Sequence, residues 1–521
     1  MKINIFDSTL RDGIQGSNID FSISDKIKIV KALDDFGIDF IEAGNPFSNP
    51  KDIEFFKLVK DIELNHSKLV AFGSTCRKNI KPQDDNNIII LSEVYADYIS
   101  IFGKTSIFHV KNILGTTKEE NLRMIKDTIE YLKSKNKHIF FDAEHFFDGF
   151  KANQDYAIEC ILTAQNAGAE YIVLCDTNGG SFPDEIDYAV KFVASKLSIP
   201  IGIHCHNDND CACANSISAV KAGATQVQGT FAGIGERCGN TNLSSLIPNL
   251  KLKLGYDCLK EESISKITEM TRFIAEVANI SLHDNMPFVG KNAFSHKAGM
   301  HVDAVLKNNS SFEHVSPENV GNTRAFIISE VSGRTTVLSK LQKLVPNITK
   351  DSNELSDILN ILKEQQLKGY LYEAAEASFD LLVLKYLGMF KEFFYIDYFK
   401  IIGEQSGDLQ KAATAMVKVK VDNQFEIAAD EGDGPVNALD KALRAALSHF
   451  YPDIINEIEL VDYKVRVMNT GAGTAAVVRV LIESSDGINT WTTVGASTDI
   501  INASVKALVD SIEYKLYKSI K

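Results

Sequence analysis

The pattern that decides the fold is clearest in residues 138–176, which read HIFFDAEHFFDGFKANQDYAIECILTAQNAGAEYIVLCD. Two short apolar runs, His138–Asp142 and Tyr171–Cys175, flank a longer stretch with helical spacing. A strand, a helix and a second strand in this order form the repeating unit of a parallel sheet.

The same alternation extends outward from residue 2 to about residue 230. One of the intervening stretches, Ser22–Phe36, begins with Ser22 and Asp25 spaced as a capping box, which predicts a helix. Eight strands that are each followed by a helix predict a (β/α)8 TIM barrel. An open doubly wound sheet is the alternative, and it is disfavoured because no GxGxxG follows the first strand. The predicted strands are Ile3–Asp7, Ile38–Glu42, Leu69–Ser74, Tyr98–Phe102, His138–Asp142, Tyr171–Cys175, Ile201–His204 and Thr225–Gln228.

Composition narrows the class of protein. The 521 residues carry a formal charge of −14, which disfavours nucleic acid and anionic membranes as partners. No apolar run approaches the ~20 residues of a membrane span, and the N-terminus lacks a signal-peptide layout. The eight cysteines form no CxxC pair, a pattern typical of reduced thiols. We therefore expect a cytoplasmic protein.

The sequence pattern changes twice after the barrel, first to mainly helical spacing and then to β-rich runs. We expect a TIM-barrel catalytic domain over 1–285, a helical linker subdomain over 286–405 and an α+β domain over 406–521. In the last domain, Met416–Val421 and Val477–Ile482 are both β-rich, and each leads on to a glycine followed by a helix. This internal repeat predicts a duplicated sheet-plus-helix unit.

Polar residues crowd the predicted C-terminal ends of the barrel strands, where active sites of this fold lie. His204 and His206 are two apart at the end of strand seven, so both imidazoles face one side. Strands seven, eight and one are neighbours in a closed barrel, so Asp12 and Asn240 can approach the histidines. Two nitrogen and two oxygen donors suit Zn²⁺, Mn²⁺ or a similar ion. The alternative for His204 and His206 is a polar turn without metal.

Three motifs make the chain resemble a known family. They are Leu10-Arg11-Asp12-Gly13-x-Gln15 with Lys26, His204-x-His206-Asn207-Asp208, and GERCGNTNL at 235–243. Together they resemble the signatures of the 2-isopropylmalate, homocitrate and citramalate synthases, which are metal-dependent TIM-barrel acyltransferases. The stretches that most resemble the citramalate branch are Gln15-Gly16, Phe21-Ser22, Asn49–Asp52, Phe102–Lys104 with His109, and Gly115–Thr117.

Two positions depart from the family pattern. The family has glycine where this chain has Asp210, and we expect that position to need small size more than a left-handed backbone. The citramalate branch has tyrosine where this chain has Phe312, so a phenolic hydroxyl there is lost or supplied elsewhere.

The resemblance implies a Claisen condensation of acetyl-CoA with a 2-oxo acid, assisted by a divalent ion such as Zn²⁺, Mn²⁺ or Mg²⁺. The branch-like stretches favour pyruvate as acceptor and (R)-citramalate as product, on the pyruvate route to isoleucine. The alternative acceptor is 2-oxoisovalerate, as in the 2-isopropylmalate synthases of leucine biosynthesis. A carbon–carbon lyase on the same barrel is disfavoured, because lyases of this kind normally end after the barrel and this chain has a long C-terminal extension. A non-enzymatic regulator is disfavoured because the motifs of the catalytic site are intact.

The resemblance also implies roles for single residues. Arg11 would bind substrate and hold developing negative charge, with a rim salt bridge to Asp12 or Glu236 as the alternative. Glu144 would be a catalytic acid or base, or else a rim carboxylate paired with a cation. Thr177 would bind the substrate carboxylate, or else cap a helix. His301 resembles a histidine that the linker of one protomer inserts into its partner's barrel, and His296 competes for that role.

The C-terminal domain resembles the family's regulatory domain. We expect a homodimer whose end-product effector is a branched-chain amino acid, isoleucine for a citramalate synthase and leucine for an isopropylmalate synthase. The effector would sit in a seam of small residues formed by Gly471–Ala475 and Gly495–Ser497. The alternative is a domain that only associates subunits.

Overall fold

The computed structural model describes residues 1–297, 299–326, 334–372, 375–403, 413–468 and 476–520. The chain divides into two compact units. The first consists of residues 1–294 and 314–324, and the second of residues 295–313 and 325–521.

A closed barrel of eight parallel strands forms the centre of the first unit, as predicted, so the open doubly wound alternative is wrong. Successive strands pair in sequence order, and the last strand pairs with the first to close the barrel. Each observed strand lies within two residues of its predicted position. The strands are β1 Asn4–Asp7, β2 Phe40–Gly44, β3 Lys68–Ser74, β4 Tyr98–Lys104, β5 His138–Glu144, β6 Tyr171–Asp176, β7 Ile201–Cys205 and β8 Gln226–Gly229.

Helices surround the barrel and cover its outer face. The first of them begins at the predicted capping box, in which Ser22 accepts from the backbone of Asp25 and the Asp25 carboxylate accepts in return. The helices are α1 Ile23–Phe36, α2 Pro50–Leu58, α3 Asn86–Glu93, α4 Ile107–Asn112, α5 Lys118–Ser134, α6 Phe146–Ala152, α7 Gln154–Asn166, α8 Pro183–Ala194, α9 Ala212–Ala222, α10 Leu243–Pro248, α11 Glu261–Ile264 and α12 Ile267–Val277. All eight cysteines are free, in agreement with the prediction of reduced thiols.

The barrel interior is apolar at one end and polar at the other. A separate cluster of side chains fills its N-terminal half and includes Phe6, Val70 and Phe140, with Phe40 and Tyr98 packed against them. The rings of Phe40 and Phe140 lie edge to face with centroids 5.0 Å apart, a favourable aromatic geometry. The polar side chains gather further along the strands, towards their C-terminal ends. The fold therefore leaves the C-terminal mouth for the site.

The second unit begins with a short parallel pair, β9 Ser295–His296 and β10 Ala325–Phe326. Helices α13 Gly299–Lys307, α14 Arg334–Leu344, α15 Asn353–Leu367 and α16 Glu376–Tyr386 accompany it. No helix in the described ranges is long and apolar enough to cross a membrane.

The end of the chain contains the predicted duplication. Strands β11 Tyr395–Gly403, β12 Ala413–Val421 and β13 Gln424–Gly432 form one antiparallel sheet, followed by α17 Pro435–Ser448 and α18 Pro452–Ile455. Strands β14 Glu459–Val467, β15 Val478–Ser485 and β16 Thr490–Ser497 form another, followed by α19 Ile500–Ile520. Buried residues of β12, α17, β15 and α19 share one core. Of the predicted seam, Gly495–Ser497 lies on β16, whereas Gly471–Ala475 lies outside the described residues.

Candidate active site

Three predicted metal ligands meet at the C-terminal mouth of the barrel. Asp12 follows β1, His204 lies on β7, and His206 comes directly after it. The Nε2 atoms of His204 and His206 are 3.4 Å apart, and they lie 3.9 and 4.0 Å from Asp12 Oδ2. All three residues are buried, and one ligand atom from each lies within 4.8 Å of the other two. This spacing suits a single ion bound by two imidazoles and a carboxylate.

Asn240, the fourth predicted ligand, lies beside this cluster. A backbone bridge joins His206 to Asn240, and Asn240 Nδ2 donates to Asp12 Oδ1 at 2.8 Å. The Asn240 Oδ1 atom is buried and has no hydrogen-bond partner among the residues that the structure describes. A buried amide oxygen without a partner costs free energy, and a cation at this position would satisfy it.

The glycine-rich loop after β8 gives Asn240 the space it needs. Gly235 has a φ of +153°, and a Cβ atom at this residue would lie 2.2 Å from Asn240 Nδ2. The same Cβ would lie 3.1 Å from Asp12 Oδ1. Only glycine therefore fits against the two side chains in this conformation.

Burial sets the protonation of the cluster. It lowers the pKa of His204 to about 3, with the nearby His206 adding to the effect. Burial likewise lowers the pKa of His206. Burial opposes ionisation of Asp12, but the charge of Arg11 and the hydrogen bond from Asn240 hold the pKa of this carboxyl well below its ordinary value. Neutral imidazoles beside an ionised carboxylate are the forms that bind a divalent ion.

Arg11 is buried beside the cluster and pairs with two carboxylates. Its Nη1 lies 2.7 Å from Asp12 Oδ2, and its Nε lies 2.6 Å from Glu42 Oε2. The guanidinium also lies over the ring of Phe72, 4.0 Å from its centroid. The alternative partner considered from the sequence, Glu236, lies instead 3.5 Å from Arg237. Arg11 is thus held rigidly at the mouth, with its charge directed at the cluster.

Glu42 and Asp142 are two buried carboxylates that the sequence analysis did not assign to the site. Glu42 binds Arg11, and Asp142 accepts from Ser100 Oγ at 2.8 Å. Burial raises the pKa of both carboxyls, and a neighbouring carboxylate adds to the effect, Asp12 at Glu42 and Glu42 at Asp142. Both lie towards the C-terminal ends of predicted strands, and this position was the signal that could have identified them.

A second polar cluster lies over β4, β5 and β6. Glu144 ends β5 and forms an ion pair with Lys104, which ends β4. Thr177 follows β6, and its hydroxyl accepts from the backbone N–H of His145 at 2.8 Å. The rings of His145 and His109 are stacked with centroids 3.6 Å apart. The structure therefore brings the predicted residues Glu144 and Thr177 to one side of the mouth.

His301 and its competitor His296 both belong to the second unit. The ring of His301 stacks on that of Phe312, with centroids 4.0 Å apart, and both residues are exposed. His296 Nε2 lies 3.1 Å from Glu313 Oε1. The phenyl group that replaces the family's tyrosine thus packs on the candidate catalytic histidine.

The expectation for Asp210 was wrong. Its φ is +61°, so the position requires a left-handed backbone and not only a small residue. Aspartate tolerates this conformation better than most residues. Here the Asp210 N–H donates to the Asn207 carbonyl at 3.0 Å, which closes the turn after the two histidines. The turn therefore keeps its form without glycine.

Comparisons with known proteins assign each part of the chain to a family. Residues 2–274 match the HMGL-like family, residues 288–369 the homocitrate synthase post-HMGL domain-like family, and residues 373–516 the LeuA allosteric (dimerisation) domain. An (R)-citramalate synthase of Geobacter sulfurreducens is 48% identical, over 99% of this chain and 98% of the relative. One of Aquifex aeolicus is also 48% identical, with the same coverage. A 2-isopropylmalate synthase of Methanocaldococcus jannaschii is 31% identical, over 99% of this chain and 95% of the relative.

Proposed function

Because this chain belongs to the HMGL-like family and is similar over its whole length to (R)-citramalate synthases, we propose that it condenses acetyl-CoA with pyruvate to give (R)-citramalate and CoA. It is an enzyme of the acyltransferase class. The observation that carries the proposal is the convergence of Asp12, His204 and His206 beside Arg11 at the mouth of the barrel. The 2-isopropylmalate synthase named above is less similar, so 2-oxoisovalerate is the less supported acceptor.

We propose that Asp12, His204, His206 and Asn240 hold a divalent ion, for which Zn²⁺, Mn²⁺ and Mg²⁺ are the candidates. The donor set supports this assignment, because it offers two neutral imidazoles, a carboxylate and a buried amide oxygen without a partner. When bound, such an ion polarises the keto group of the acceptor as a Lewis acid.

The protein's own groups then have separate tasks. Arg11 carries a permanent charge and is fixed by Asp12 and Glu42, so it can stabilise the negative charge that develops on oxygen. Its position beside the cluster also suits it to bind the 2-oxo acid. The hydroxyl of Thr177 can contact the acceptor's carboxylate by donating its proton, since it accepts only from the His145 N–H among the described contacts.

Glu144 is the candidate for the proton-transfer step. Its carboxylate lies at the end of β5, where a base can take a proton from the methyl group of acetyl-CoA. The carbanion attacks the keto carbon of pyruvate, and water then cleaves the thioester to release CoA and (R)-citramalate. We propose His301 as the second acid or base, because it carries an exposed imidazole in the segment whose counterpart supplies this group in the family.

We propose that the barrel domain covers residues 1–285, the linker subdomain 286–405 and the regulatory domain 406–521. The match of 373–516 to a LeuA allosteric (dimerisation) domain supports a homodimer and a small-molecule effector. Isoleucine is the proposed effector, since it is the end product of a pathway that begins with citramalate. Of the predicted seam, Gly495 packs directly against the Ala503 carbonyl of α19, so its small size serves helix packing and the effector would have to bind elsewhere in the domain.

The test of this function is the His204→Ala variant. Metal content after dialysis and the rate of CoA release from acetyl-CoA and pyruvate should fall together, because one ligand serves both. Lys133→Gln, which removes an ion pair with Glu170 at the opposite end of the barrel, is the control. Full activity of the wild-type enzyme after exhaustive chelation would contradict the assignment of the metal.

A further inference from the structure

The ion pair between Lys104 and Glu144 is built into the barrel mouth. The two residues end neighbouring strands and face each other in register. Their side chains are only 14% and 22% exposed, so the pair is partly shielded from water. Solvent screens an ion pair at such a position less than it screens a fully exposed pair, so the attraction between the two side chains is stronger.

The backbone around the pair is held in place by further hydrogen bonds. Buried Thr105 donates both its backbone N–H, at 3.2 Å, and its hydroxyl, at 2.8 Å, to the carbonyl of Glu144. Buried Asn121 donates its side-chain amide to the carbonyl of Lys104 at 2.9 Å. These contacts connect the ends of β4 and β5 and hold the backbone of Lys104 and Glu144 in place. Such a preorganised support is what a precisely oriented catalytic group requires.

We propose that Lys104 is a positioning residue, whose ammonium group orients the carboxylate of Glu144 for proton abstraction. This inference rests on the proposed function, in which Glu144 is the base. A Glu144 carboxylate without this partner can rotate about its side-chain torsions, so the ion pair holds it in one orientation.

Other charged groups face the pair, and the test has to account for them. His109 on α4 lies close to Lys104, Glu144 and His145. The Asp148 carboxylate on α6 lies 3.4 Å from His145 Nδ1, and Cys175 lies on β6 near Glu144. Removal of the Lys104 charge changes the field at all these groups. A direct link to Glu144 therefore has to be shown by a double-mutant cycle.

The experiment measures kcat, and KM for both substrates, from pH 5.5 to 9 with the full-length, metal-loaded enzyme. Lys104→Met and Lys104→Gln should lower kcat about tenfold or more and leave both KM values within about twofold of the wild type. Lys104→Gln retains the hydrogen-bond donor and is decisive if Lys104→Met does not fold. Lys104→Arg keeps the charge and should restore most of the wild-type kcat. Lys133→Gln, which removes a distant ion pair, should match the wild type in all parameters.

The same measurement in a Glu144→Gln background tests whether Lys104 acts through Glu144. Lys104→Gln should then reduce kcat by less than twofold, because its partner is already neutral. An equal loss in both backgrounds, or a higher KM with an unchanged kcat, would overturn the inference and make Lys104 a substrate-binding residue. Absence of wild-type CoA release with pyruvate would refute the proposed function, and an active wild type with an unaltered Lys104→Gln variant would refute only this inference.

Discussion

The Gly235→Ala substitution tests the metal site through a residue that cannot itself bind metal. The added methyl group would lie 2.2 Å from Asn240 Nδ2 and 3.1 Å from Asp12 Oδ1, so the Asn240 amide has to move. It then loses the hydrogen bond in which Nδ2 donates to Asp12 Oδ1 at 2.8 Å. Loss of such a supporting contact typically lowers metal affinity about 10–100-fold.

The substitution also carries a backbone cost, which needs its own control. Alanine at a φ of +153° is strained, at a cost of about 1–3 kcal/mol. Gly255 has a φ of +69°, and a Cβ atom there would meet nothing within 4 Å, so Gly255→Ala supplies backbone strain without a steric contact. Both variants should melt at lower temperature than the wild type, but only Gly235→Ala should lose affinity for metal.

The assay is calorimetric titration of the metal-free proteins with Mn²⁺, combined with the Mn²⁺ dependence of CoA release. We expect a tenfold or greater rise in Kd for Gly235→Ala and no change for Gly255→Ala. A folded Gly235→Ala protein that binds Mn²⁺ within twofold of the wild-type affinity would refute the assignment of Asn240 and Asp12 to the site.

Two further predictions concern pH and regulation. The free energy of unfolding of the metal-free protein should decrease as the pH falls from about 6.5 towards 3. Burial lowers the pKa of folded His204 from 6.5 to about 3, so the unfolded chain binds more protons over this range. Urea denaturation at pH 7, 6 and 5 measures the free energy of unfolding, and an equal dependence of this free energy on pH in the wild type and in His204→Asn would contradict the prediction. Millimolar isoleucine should lower the initial rate of the full-length enzyme, and truncation after Gly403 should abolish this inhibition, since a coupling of about 1–3 kcal/mol is enough for strong feedback. If leucine, isoleucine and valine all leave the rate unchanged and none binds by calorimetry, the C-terminal domain only associates subunits.

The sequence predicts the barrel well because each strand carries a local apolar signal of its own. The site on β1 and β7 was predictable for a related reason. Once the barrel is assumed, its closure makes Asp12 a neighbour of His204 and His206, without any knowledge of side-chain conformations. The order of strands in a closed barrel follows from the order of the strands in the sequence, so this prediction needs no side-chain information.

The rest of the site depends on side-chain contacts between neighbouring strands, which strand order alone does not specify. Glu42 is a site residue because the Arg11 side chain reaches it from the end of the neighbouring strand, and Lys104 is one because the register of β4 and β5 places it opposite Glu144. Lys104 belongs to a stretch that resembles the family, but the sequence does not show which group it contacts. The left-handed backbone of Asp210 was missed although two signs pointed to it, namely the family's glycine at this position and the tolerance of aspartate for positive φ.

The most direct test of the central claim is the rate of CoA release from acetyl-CoA with pyruvate, 2-oxoisovalerate and 2-oxoglutarate as separate acceptors. The full-length enzyme with a divalent ion should show its highest kcat/KM with pyruvate and form (R)-citramalate. A higher kcat/KM with 2-oxoisovalerate would contradict the account and make the protein a 2-isopropylmalate synthase.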